Sequence, residues 1–188
     1  MKAFLGLALA VAVMAGTATA GELKSGPQPG DGVGAFHVKK VAGAKEDGVK
    51  TGAELCYRCK LGDRPVVMVF ARTPDEKLAG LLKALDKQVG KHKEEKLSSF
   101  VNLIGKDEKK LGSAGEKLAE EAELENVAVV VPVDQPNGPE DYKINPEADL
   151  TVLIYREGKV KQSHAFAKDE LEKEHVEKIL EESAELLN

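Results

Sequence analysis

The sequence predicts an α/β domain, a three-layer sandwich in which a mixed central sheet carries helices on both faces. Three observations lead there. Residues 66–70 and 127–133 are unbroken runs of strand-forming apolar residues, as expected of strands covered on both faces. Amphipathic stretches with capping residues alternate with such runs, the pattern of a parallel sheet. Late in the chain, two further runs flank Glu157-Gly158 and read as a hairpin that adds antiparallel strands.

The elements follow in order. Residues 1–20, MKAFLGLALAVAVMAGTATA, have the parts of a secretory signal peptide: Lys2 at the start, a short apolar run, and Ala18-Thr19-Ala20 as an A-x-A cleavage site. The run is too short for a membrane anchor, which needs about 20 apolar residues. Cleavage leaves no membrane segment and places the chain in the periplasm or outside the cell. Residues 21–35, rich in Gly and Pro, read as an irregular arm. A single domain then spans 36–188.

FHVKKV (36–41) reads as a short strand, and residues 42–64 as a polar connection. After the strand at 66–70, Thr73-Pro74-Asp75-Glu76 announces a helix. Thr73 is placed as the cap, Pro74 as the first helical residue, and Glu76 completes a T-x-x-E box. Leu78, Leu81, Leu82, Leu85 and Val89 form its apolar stripe, and Gly90 is its stop. SSFVNLI (98–104) is a strand and 107–124 a helix. Beyond 127–133 comes a proline-bearing loop, then strands at 150–155 and 159–166, and a last helix over 168–187.

The formal charge is −5, with acids and bases interspersed and no basic stripe, so nucleic acid is not an expected partner. No G-x-S-x-G elbow, P-loop or G-x-G-x-x-G after a strand is present, and no cofactor is expected. The chemistry-bearing residues that remain are the two cysteines, Cys56 and Cys59, in ELCYRCK.

The element order, together with FHVKKV, GDRPVVMVFAR and DYKINPEADLTVLIYREGKV, resembles the thioredoxin-like superfamily, in its exported thiol–disulfide and peroxiredoxin-like branch. The resemblance implies a thioredoxin-like sandwich over roughly residues 30–187. It also implies a dithiol where the first central strand meets its helix, whose positive end favours a thiolate. Those slots fall at about Asp75 and Leu78, where no cysteine stands. The proline that such oxidoreductases hold in cis beside the dithiol has its slot at Asp149 or Leu150, and Pro146 lies three or four residues early. A cis bond before a non-proline residue costs about 2.5–4 kcal/mol, so a trans peptide is expected there.

Cys56 and Cys59 precede the amino end of the leading strand and are expected at the pole opposite that helix tip. Three readings stand for them. A C-x-x-C disulfide can exchange with thiols or disulfides of exported proteins, with Arg58 and Lys60 favouring the thiolate. It can instead be a static bridge in a non-catalytic binding or structural module, although so short a ring removes only about 1–2 kcal/mol of unfolded-chain entropy. Or two thiolates can contribute to a zinc or copper(I) site, with further ligands from His37, His92, His164 or His175, none of which sits in a ligand-spaced cluster. Lys60 after Cys59 excludes the haem-attachment motif.

Overall fold

The computed structural model describes residues 23–187, so the expected leader at 1–20 lies outside the described residues. Among these residues seven strands form one mixed sheet: β1 (Val38–Gly43), β2 (Glu54–Leu55), β3 (Val66–Ala71), β4 (Ser98–Leu103), β5 (Val127–Pro132), β6 (Leu150–Arg156) and β7 (Lys159–Phe166). Their order across the sheet is β2-β1-β5-β4-β3-β6-β7. The runs that read as central strands are central. β3, β4 and β5 are parallel, and every residue of β3 and β5 is buried. The hairpin β6–β7 joins β3 antiparallel on one side, and β1 with β2 joins β5 antiparallel on the other.

Among the described residues four helices pack on this sheet: α1 (Tyr57–Leu61), α2 (Glu76–Lys91), α3 (Glu108–Glu121) and α4 (Lys173–Glu185). Side chains alternate across a strand, so the unbroken run of β3 serves two cores. Val67, Val69 and Ala71 meet Leu81 and Leu85 of α2, Leu118 of α3 and Ile179 of α4. Val66, Met68 and Phe70 meet Tyr57 and Leu61 of α1, Val33 of the arm, Phe36 just ahead of β1, and Tyr142 and Ile144. The three long helices therefore share one face. The other is covered by α1, the arm and a 3-10 turn at Glu140–Tyr142. Each such side chain withdrawn from water contributes about 1.5–3 kcal/mol, which is why a five-residue helix can persist there.

Several boundaries differ from those the sequence suggested, each for a physical reason. Asp75, not Thr73, caps α2, its Oδ1 accepting the Leu78 amide at 2.9 Å. The Thr73 hydroxyl is engaged elsewhere, donating to Asp149 Oδ1 at 2.6 Å, so Pro74 precedes the helix. α2 runs past Gly90 to Lys91 and is capped at His92. α4 begins at Lys173 rather than 168, with Glu172 and His175 forming a capping box. α1 and β2 lie inside the stretch read as a polar connection.

Candidate redox site

The cysteine pair is built on α1. Leu55 ends β2 on the edge of the sheet, and Cys56, still extended, becomes the N-cap of α1. Its Sγ accepts the Cys59 amide at 3.0 Å, and its carbonyl accepts the Lys60 amide at 2.9 Å. The helix stops at Gly62, whose φ of 58° lies in the left-handed region that favours glycine. Pro65 then holds the chain extended into β3. Within this turn Cys56 and Cys59 form a disulfide with Cα atoms 5.2 Å apart. Cys59 is an exposed residue and Cys56 a half-buried one, so Cys59 is the more open of the two to an incoming group.

Three anchors hold this turn in place, and none was visible in the sequence. Tyr57 is buried, its ring stacked on Phe100 of β4 with centroids 5.3 Å apart. Its hydroxyl donates to Asp47, which also pairs with the buried Lys40 at 2.8 Å. Lys40 Nζ donates to the carbonyls of Ala44 and Val49 as well, so all three of its protons are bonded, which is what burying an ammonium group demands. Burial, reinforced by the Asp47 carboxylate, pushes the Tyr57 hydroxyl well above the ordinary tyrosine pKa, so it stays protonated and donating. Arg58 Nε donates to Val33 O at 3.0 Å, tying α1 to the arm. Its guanidinium lies against Gly158 in the β6–β7 turn, where a Cβ would come within 2.2 Å of Nη2.

The helix-tip slots of the superfamily present the opposite picture. β3 places them at the other pole, about 17 Å away along six residues of strand. Asp75 caps the helix and Leu78 is buried in the core. Thr73 holds Asp149, and Arg72 donates to Ala148 O at 3.0 Å and Asn137 Oδ1 at 3.1 Å. Burial pulls the Arg72 pKa below its usual value, and Asp149 opposes that shift. Among the described residues no peptide bond is cis, so Asp149–Leu150 is trans. The cavity here is about 20 Å3, room for roughly one water.

The four histidines are scattered. His37 is exposed beside β1, His92 caps α2 and pairs with Glu95, His164 on β7 contacts Glu182, and His175 caps α4. Among the described residues no group of three or more His, Cys, Asp and Glu side chains is arranged to hold a metal, and the disulfide occupies both sulfurs. No described helix is long and apolar enough to cross a membrane.

Comparison with known proteins gives the fold. No protein-family model matches the chain, and no curated protein matches it by sequence. Solved structures do. The thioredoxin domain of a thiol–disulfide oxidoreductase from Bacteroides vulgatus superposes with a TM-score of 0.61 at 14% identity, covering 86% of this chain and 99% of its own. Mycobacterium tuberculosis AhpC gives 0.64 at 11%, covering 86% and 99%. A secreted M. tuberculosis disulfide oxidoreductase homologous to E. coli DsbE gives 0.53 at 11%, covering 80% and 95%. The chain has the thioredoxin-like fold, and its structural neighbours include thiol–disulfide oxidoreductases and peroxiredoxins.

Proposed function

We propose that this is an exported thiol–disulfide exchange protein, acting on thiols or disulfides of exported proteins, whose working sulfurs are Cys56 and Cys59. One observation carries the reading: Cys59, the exposed cysteine of the pair, sits on a short turn that a buried tyrosine and the ion pair of buried Lys40 with half-buried Asp47 hold in place. A partner thiolate attacks Cys59 Sγ. A bond forms between the partner sulfur and Cys59, the Cys56–Cys59 bond breaks, and the electron pair leaves on Cys56. The Cys59 amide, already directed at Cys56 Sγ, stabilises that thiolate. A second partner thiolate then attacks the partner sulfur of the mixed disulfide and releases Cys59, leaving the partner oxidised by two electrons and the pair reduced. In the reverse direction Cys59 is the nucleophile and Cys56 resolves the mixed disulfide. The leader at 1–20 and the low gain of about 1–2 kcal/mol from so small a ring support an exported redox role over a staple.

Single-cysteine variants test this. Cys56→Ser keeps the exposed thiol and is expected to trap a mixed disulfide with a protein disulfide about tenfold faster than Cys59→Ser, as read by mass spectrometry. Equal and negligible trapping, with a reduction potential below about −300 mV, would instead make the bridge static and the protein a binding module.

A further inference from the structure

A groove starts at the sulfur turn. Between α1 and the ends of β4 and β5 lies a cavity of about 260 Å3, and a second of about 320 Å3 continues it past the end of α2. They share the walls formed by Asp47, Arg64 and Asn126. Lys60 lines the first, one helical turn after Cys56, while Lys93 and Lys96 line the second. The carboxylates of the groove are already engaged: Asp47 with Lys40 at 2.8 Å, Glu125 with Lys45 at 3.2 Å, and Glu46 with Lys93 at 3.7 Å. Among the described residues Lys60, Arg64 and Lys96 have no ion-pair partner, and all three are exposed. A chain of net charge −5 thus keeps a cationic trough on the side of α1 that carries Tyr57 and Lys60, the residue after Cys59.

We propose that this groove seats an acidic peptide segment of the partner protein and so delivers the partner's cysteine to Cys59. The inference rests on the exchange reading above and names its substrate class. Long-range charge complementarity raises encounter rates with the right partner, while the acidic remainder of the chain repels the same segment elsewhere. The apolar floor, Leu61 and Val89, gives the segment's aliphatic carbons a contact.

The test uses the oxidised mature protein and three synthetic dithiol peptides of one length, acidic, neutral and basic, with reduction of the disulfide followed by alkylation and mass spectrometry. The acidic peptide is expected to react about tenfold faster than the neutral one at low salt, with the advantage shrinking as salt screens it. The Arg64→Glu, Lys96→Glu double variant is expected to bring the acidic-to-neutral ratio to about one. Equal rates for the three peptides, or an advantage that survives the double variant, overturn the proposal while leaving exchange at Cys59 intact. So does an equal rise with free glutathione, which marks a small-thiol site instead. If no dithiol reduces the bridge, the exchange reading fails. Fluorescence anisotropy with a cysteine-free acidic peptide then decides the groove: salt-sensitive binding lost in the double variant supports it, and no binding overturns it.

Discussion

The carboxyl end of β3 and its amino end have been finished in opposite ways. At the carboxyl end, where the resemblance implies a dithiol, Asp75, Thr73 and Arg72 spend their hydrogen-bonding groups on the helix and on residues 137–149, leaving room for about one water. At the amino end, a five-residue helix anchored by a stacked tyrosine carries the exposed Cys59 and borders a groove. A positive helix end does not by itself make a redox centre. On the exchange reading proposed above, the scaffold and the place where sulfur is displayed are separable, because exchange needs a firm turn, an accessible sulfur and a donor for the departing thiolate.

The two faces of the sheet differ in kind, and alkaline pH should expose that difference with the largest effect. All three tyrosines of the chain, Tyr57, Tyr142 and Tyr155, lie in the core on the sulfur face, and the face of the long helices has none. Burial raises each hydroxyl's pKa in the folded state; Asp47 adds to this at Tyr57, and Arg58 partly offsets it at Tyr142 and Tyr155. A group whose folded pKa lies above its unfolded value gives its full stability below the unfolded value, about 10 for tyrosine, and loses it as pH rises further. Each tyrosine then costs about 1.4 kcal/mol per pH unit, so unfolding free energy from urea titration should fall by about 4 kcal/mol between pH 8 and pH 11. Tyrosinate absorbance should appear only with unfolding. Ionisation of tyrosines in a still-folded protein would show that the sulfur face is loosely covered.

Next in size is the anchor itself. Tyr57→Ala removes a ring 3% exposed and should cost about 3–4 kcal/mol, while freeing α1 and lowering the yield of trapped mixed disulfide at Cys59. Tyr57→Phe keeps the stack on Phe100 and removes only the bond to Asp47, for about 1–2 kcal/mol. Both are read from urea midpoints with an unchanged slope. A cost for the alanine variant below about 1 kcal/mol would mean that the turn is not held by this contact, and the contrast between the two ends would lose its basis.

What the sequence disclosed follows the range of the interactions involved. β3, β5 and the stripe of α2 were legible because an apolar run or a 3.6-residue period is a local property that packing reinforces. α1 was not, since five residues make barely one turn and its stability comes from Phe100, Asp47 and Val33, which lie 10 to 43 positions away along the chain. Lys40 reads as a surface residue in FHVKKV, and only the loop at residues 44–49 folding over its ammonium group makes it a core residue. The same holds for Asp86 on α2, buried where it accepts the amides of Glu125, Asn126 and Val127 at 2.7–2.9 Å. Its place four residues after Leu82 and three before Val89 puts it on the stripe's face, but the amides it accepts lie about 40 positions away and no local pattern names them. The C-x-x-C spacing did mark Cys56 and Cys59, but which of the two residues is exposed depends on how α1 docks.

The smallest effect belongs to the closed end of β3, and it tests whether that end is bystander or participant. Thr73→Val preserves shape and deletes the 2.6 Å donation to Asp149, one bond to a charged acceptor in a half-buried place. Its cost should be about 0.5–1.5 kcal/mol, because water can reach the freed carboxylate oxygen. The helix should keep its start, since Asp75 and not Thr73 supplies the cap. With about 17 Å of strand between the two ends, trapping at Cys59 and the potential of the bridge should not move. A change in either, in a variant that still unfolds with the wild-type slope, would show that Thr73 and Asp149 take part in the sulfur chemistry after all. The two ends of β3 would then form one coupled site, not a closed one and an open one.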